Sequence, residues 1–171
     1  MSNKKATFVL VRFPFAIFNF LLDIFFPKKC VGCGKEETFL CSTCAKEIEI
    51  LKTPVCGSCG KINKFGEYCP SCKKKLNAQL SGLIIAAKYD SGPTKEIIHH
   101  LKYSGFTELT PILGEIICER LRGKIPSGKI EIVPVPLYKK REAARGFNQA
   151  ELIARFVSKK LNLKGGMFLK R

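Results

Sequence analysis

Eight of the nine cysteines lie between residues 30 and 72, in four Cys-x-x-Cys pairs. The pairs are Cys30/Cys33, Cys41/Cys44, Cys56/Cys59 and Cys69/Cys72. In such a turn both sulfurs face one ion, and two turns together supply the four thiolates of a tetrahedral zinc site. The pattern therefore predicts two zinc ions. Because four thiolates leave no coordination position for water, both ions would be structural rather than catalytic.

The gaps between the pairs indicate how they combine. Seven residues separate the first two pairs, nine separate the last two, and eleven (45–55) lie between the second and third. These gaps favour two sequential zinc ribbons, although joining the first pair to the third and the second to the fourth also satisfies the spacing. Disulfides would need an oxidising compartment, and no signal-peptide cleavage site precedes the cysteines. Iron–sulfur ligation is the other alternative to zinc.

The chain is strongly basic, with a formal charge of +16 over 171 residues. Two zinc ions on eight thiolates would lower this charge to +12. A charge of this size is typical of proteins with phosphate-bearing partners, such as nucleic acid, nucleotides or an anionic membrane surface. The alternative is a basic surface that is only solvated.

The most apolar run is 8–26, which is interrupted by Arg12, Pro14, Asn19 and Asp23. Its Phe and Leu residues recur at helical spacing from about residue 15, which predicts a helix that packs on the metal module. A helix on the membrane surface is the second interpretation, and a membrane span is the third. We therefore expect a cytoplasmic protein, with peripheral membrane association through residues 8–26 as the alternative.

From about residue 80 the sequence alternates between strand and helix patterns. Leu83–Ala87 and Ile130–Val135 are short strand candidates. Helices are predicted up to Tyr103, over 109–121 and over 152–161. This alternation predicts an α/β fold with a mainly parallel sheet.

The turn between Pro136 and Asn148 is the predicted ligand site. Asn148 fits a helix N-cap, with Glu151 placed to complete a capping box, and helix N-termini attract anions. The basic residues just upstream are Lys139, Lys140, Arg141 and Arg145. Gly146 permits close backbone approach. The sequence therefore predicts a phosphate or carboxylate site, the alternative being exposed basic residues beside a purely structural cap.

Three features follow one another in a specific order: the cysteine pairs, AAKYDSGPTKEIIHHLKYSG, and VPVPLYKKREAARGFNQAE. With these features in this order, the chain resembles the ComF family of competence-associated proteins. The resemblance covers about residue 18 to residue 171. Proteins of this family join a double zinc ribbon to a type I phosphoribosyltransferase domain. The resemblance implies a phosphoribosyl diphosphate (PRPP) ligand, a role in DNA uptake and natural transformation, and DNA-uptake proteins as partners. By match to the family's motifs, the residues at or near the substrate are Lys102, Tyr103, Arg141, Arg145, Gly146, Asn148 and Gln149.

The chain departs from this family at the loop that holds PRPP. There the family carries two adjacent acidic residues followed by Thr and Gly, often with magnesium bridging the diphosphate. The only adjacent acidic pair here is Glu36-Glu37, inside the first ribbon. We therefore expect a fragment, a broken reading frame or a genuinely shortened protein, without transferase activity. We expect magnesium only with PRPP in a complete domain.

The predicted organisation is a double zinc ribbon followed by an incomplete type I phosphoribosyltransferase-like α/β domain. Its predicted divisions are an apolar helix region at 1–27, the double zinc ribbon at 28–76 and the α/β part at 80–171. The alternative function is a non-catalytic zinc-ribbon protein that binds single-stranded DNA. Lys73–Lys75 would then contact phosphates, and Phe65 or Tyr68 would stack on bases.

Overall fold

A computed structural model describes residues 27–63, 65–77, 79–90, 92–125 and 130–166. The apolar helix predicted at 8–26 lies outside these ranges. Within them, no helix is both long enough and apolar enough to cross a membrane.

The cysteine-rich region consists of two ribbons built on one plan. Each opens with a Cys-x-x-Cys-Gly-Lys turn, at 30–35 and at 56–61. In each turn the N–H of the first cysteine donates to the lysine carbonyl, at 2.7 Å and 2.8 Å. Gly34 and Gly60 close the turns with φ of +77° and +72°, which a residue with a Cβ adopts only under strain. The repeated glycine therefore serves the turn geometry.

The second cysteine pair of each ribbon lies at the start of a short helix. Helix α1 spans Ser42–Lys46, and its N-cap Cys41 accepts a hydrogen bond through Sγ from the N–H of Cys44, at 3.4 Å. Helix α2 spans Pro70–Leu76 with Cys69 as its N-cap. The free N–H groups of a helix start stabilise negative charge, so the cap positions suit thiolates.

The segment between the second ribbon and the first long helix pairs with both ribbons. Gly82 forms an antiparallel bridge with Glu67, and Ala87 forms one with Ile50. The strand predicted at Leu83–Ala87 is therefore wrong. The segment meets two short ribbon segments instead of a sheet strand, so it forms only isolated bridges. The predicted division between residues 76 and 80 stays a prediction.

The rest of the described chain is mostly helical. Its elements are α3 (Thr94–Tyr103), a 3₁₀ turn (Thr107–Leu109), α4 (Thr110–Leu121), β1 (Glu131–Ile132), α5 (Lys139–Arg145), α6 (Gln149–Leu161) and β2 (Lys164–Gly165). Strands β1 and β2 pair in parallel, with Glu131 opposite Lys164. The fold is thus α/β with helices dominant, behind two N-terminal ribbons.

Three predicted helices are confirmed as α3, α4 and α6, and the strand predicted at Ile130–Val135 shrinks to β1. The turn predicted between Pro136 and Asn148 is wrong over α5, since KKREAAR there is helical. All seven of its residues are strong helix formers.

The core lies between α3 and α4. It consists of the buried side chains Ile97, Leu101, Leu109, Leu113 and Ile116. Partly buried side chains of the first ribbon and its following segment pack against it: Val31, Phe39, Leu40, Ile48 and Ile50. The first ribbon is therefore part of the core that positions α3 and α4.

Candidate metal centres and anion pocket

The eight paired cysteines form two quartets in space. Within each quartet the Sγ atoms all lie within 4.8 Å of one another. The quartets are Cys30, Cys33, Cys41 and Cys44, and Cys56, Cys59, Cys69 and Cys72. The sequential pairing is confirmed, and the interleaved arrangement is excluded.

The sulfur spacing fits a tetrahedral zinc ion. With Zn–S bonds of about 2.3 Å, two ligand sulfurs lie about 3.8 Å apart. The Sγ atoms of Cys33 and Cys41 lie 3.6 Å apart, those of Cys56 and Cys69 3.9 Å, and those of Cys59 and Cys69 3.7 Å. These separations exceed an S–S bond, about 2.05 Å, and all nine cysteines are free thiols. Each quartet thus fits one structural zinc ion.

Backbone N–H groups favour the thiolate form of the first cysteine in each quartet. Burial acts to raise the pKa of Cys30, but hydrogen bonds from backbone N–H groups, that of Cys41 foremost, lower this pKa to about 6. Backbone N–H groups, led by that of Cys59, lower the pKa of Cys56 to about 6. Because zinc binds the thiolate, these lowered pKa values leave Cys30 and Cys56 ready to bind zinc at neutral pH.

The two centres differ in how far their sulfurs are shielded from solvent. In the first, three cysteines are buried and only Cys33 is exposed. In the second, Cys56 is buried, Cys59 is exposed, and Cys69 and Cys72 are partly exposed. The second centre therefore presents more of its ligand set to water.

The predicted anion site is an open cavity of about 470 Å³. It lies where the C-terminal end of α3 meets α5. Its charged and aromatic lining residues are Lys102, Tyr103, Arg141, Arg145 and Phe147. Three cations thus meet here, and no carboxylate is among the described residues that line the cavity. The cavity is suited to an anion.

Arg145 is held in place from two sides. Its guanidinium Cζ lies 5.1 Å from the ring centre of Tyr103, within cation–π range. Its Nη1 donates to Oε1 of Gln149 at 3.0 Å. These contacts tie the arginine to α3 and to α6, so its charge is oriented before a ligand arrives.

The other predicted site residues lie at the turn between α5 and α6. Gly146 caps α5 with φ of +79°. Asn148 is buried and caps α6, since its Oδ1 accepts from the N–H of Ala150 at 3.0 Å. The Glu151 carboxylate accepts from Nε of Arg155 at 3.0 Å, so the predicted capping box is only half formed.

Comparison with known proteins finds one shared domain and several similar proteins. Residues 21–73 match the model of the double zinc ribbon domain. Competence protein F of Haemophilus influenzae is 28% identical over 151 residues, which cover 81% of this chain and 63% of that protein. Competence protein ComFC of Bacillus subtilis is 24% identical over 124 residues, covering 70% and 52%. DNA utilization protein YhgH of Escherichia coli is 30% identical over 128 residues, covering 72% and 55%.

The chain contains a double zinc ribbon and is similar to the ComF-type competence proteins. It spans between 52% and 63% of the length of these three relatives. No solved structure matches the chain.

The structure brings four of the seven predicted substrate residues to one cavity. Of the other three, Gln149 reaches it through Arg145, while Gly146 and Asn148 shape the turn behind it. The substrate role of all seven stays a prediction. Ser104, Gly105 and Phe147 also line the cavity and were missed. Their signal was their place inside the HHLKYSG and RGFNQAE strings.

Proposed function

We propose that this chain acts in the uptake and use of DNA, and that its cavity binds a phosphorylated ligand of the PRPP type. The names of the relatives support the first part. The meeting of Lys102, Arg141 and Arg145 in one cavity supports the second.

The chemistry of the cavity suits phosphate groups. A guanidinium donates two parallel hydrogen bonds to phosphate oxygens, and Lys102 adds a compact charge. Since Tyr103 and Gln149 already orient Arg145, binding there costs less side-chain entropy.

The proposal is binding without transfer. These 171 residues contain no acidic pair followed by Thr and Gly, the feature that the family uses to hold the ribose hydroxyls and magnesium. We therefore propose magnesium binding only with PRPP in a complete domain. A cytoplasmic location fits eight reduced thiols arranged for zinc.

Calorimetry on the zinc-loaded chain tests the ligand. Titration with PRPP should give saturable binding, and Arg145→Ala should weaken it about tenfold or more, since a hydrogen bond to a charged group contributes about 1.5–3 kcal/mol. Arg155→Ala is the matched control, because Arg155 pairs with Glu151 on the surface. Binding that Arg145→Ala leaves unchanged, or no binding of PRPP at all, would contradict the proposal.

A second candidate function is single-stranded DNA binding by the second ribbon. Its helix α2 exposes Lys73, Lys74 and Lys75 and contains no acidic residue. Phe65 and Tyr68 are half-buried, so this surface favours phosphate contacts over base stacking.

The salt dependence of binding tests this candidate. Changing all three lysines to alanine should lower the slope of log K against log salt by about 2, given about 0.7 per contact on a single strand. Lys88→Ala is the control, since Lys88 pairs with Glu49. An unchanged slope in the triple variant would exclude this surface.

A further inference from the structure

We propose that the second zinc centre is the reactive and exchangeable one, and that the first is permanent. A soft electrophile or a chelator would remove the second zinc while the first stays bound. This inference does not depend on the proposed function.

Access to the sulfurs is the first reason. At the second centre, Cys59 is exposed and Cys69 is partly exposed, so two of the four ligands can be reached. At the first centre only Cys33 can be reached, while Cys41 and Cys44 are 8% and 4% exposed. A reagent that takes Cys33 still meets three buried ligands around the first zinc.

The packing around each centre is the second reason. In the first ribbon, a Cβ on Gly32 would lie 2.8 Å from Cys44 Sγ and 3.1 Å from Pro93 Cβ. The Cys30–Cys33 turn is therefore closely packed between its own zinc site and the start of α3. Opening this site would displace the side chains of Val31, Phe39 and Leu40 from the core.

The second ribbon packs against less of the surrounding protein than the first does. Its turn touches Leu83, which is 44% exposed, and its hairpin carries Ile62, which is 76% exposed. Its hydrogen bonds to the following segment include Leu83 N–H to the Gly66 carbonyl, at 2.9 Å. Opening this centre would release Gly82 and Leu83, whereas Ala86 and Ala87 of the same segment would stay packed against the α3–α4 core.

The chemistry with N-ethylmaleimide is a simple addition. The thiolate sulfur of a ligand such as Cys59 forms a C–S bond to the maleimide double bond. The displaced π electron pair takes a proton from water at the neighbouring carbon. The resulting thioether would be a poorer ligand than the thiolate of Cys59, so the site would lose its zinc to a chelating dye.

The test treats the zinc-loaded 171-residue chain with limiting N-ethylmaleimide in the presence of a zinc-binding dye. Native mass spectrometry counts zinc, and peptide mapping locates the label. We expect a species with one zinc left and label on the second quartet, at Cys59 or Cys69. Loss of both ions in one phase, or loss of the first zinc with label on Cys33, would overturn the proposal.

Matched variants give a second readout. Cys59→Ser and Cys33→Ser remove the exposed ligand at equivalent positions of the two ribbons. We expect Cys59→Ser to bind one zinc with the circular dichroism of α3–α6 intact, and Cys33→Ser to lower the thermal midpoint. Equal loss of helicity in the two variants would contradict the proposal that only the first centre supports α3–α6. The labelling order on the unchanged chain decides the matter even if Cys33→Ser does not fold.

Discussion

The first ribbon directs Val31, Phe39 and Leu40 into the core of α3 and α4, whereas the second ribbon leaves Ile62 76% exposed and touches only a short following segment. Both ribbons open with the same Cys-x-x-Cys-Gly-Lys turn and close on a helix start. Shared motifs therefore fix the local metal geometry. The residues between the cysteines decide whether a ribbon also holds the fold together.

The largest effect is expected from Cys44→Ser in the first ribbon. A structural zinc contributes about 10–16 kcal/mol of binding, comparable with the whole stability of a domain, about 5–15 kcal/mol. We expect loss of one zinc and collapse of the α3–α6 helicity, read by metal analysis and circular dichroism. Cys118→Ser is the control. Cys118 is buried in α4 outside both quartets, so this variant should keep two zinc ions.

A smaller effect is expected from Cys72→Ser in the second ribbon. This variant should also lose one zinc, but α3–α6 should keep their helicity because their core includes no residue of that ribbon among those described. Thermal unfolding followed at a helix wavelength measures this. A fall in midpoint as large as that of Cys44→Ser would mean that both ribbons support the core equally.

The smallest effects are expected from added methyl groups in the ligand turns. In Gly32→Ala the new Cβ meets Cys44 Sγ and Pro93 at 2.8 Å and 3.1 Å, and such overpacking costs about 1–3 kcal/mol. In Gly57→Ala it meets the half-exposed Leu83 side chain at 3.2 Å, which can shift. Urea unfolding should therefore show a lower midpoint for Gly32→Ala. The reverse order would place the tighter turn in the second ribbon.

Features carried by short-range pattern could be predicted from the sequence. The cysteine quartets followed from spacing, and α4 and α6 from their apolar stripes. Helix α5 was missed because it buries no side chain and so has no apolar period. The pairing of Ala87 with Ile50 depends on tertiary contacts, so the apolar run at Leu83–Ala87 could not identify its partner. The cavity joins Lys102 to Arg141 across 39 residues, and only the family resemblance linked them beforehand.

Hydrogen exchange on the zinc-loaded chain tests most directly whether the first ribbon belongs to the core and the second does not. Amides of residues 30–44 should be protected to the same degree as those of α3 and α4, because they open only with the core. Amides of residues 56–72 should exchange earlier, as a separate unit. Equal protection of the two ribbons, or earlier exchange in residues 30–44, would contradict that division.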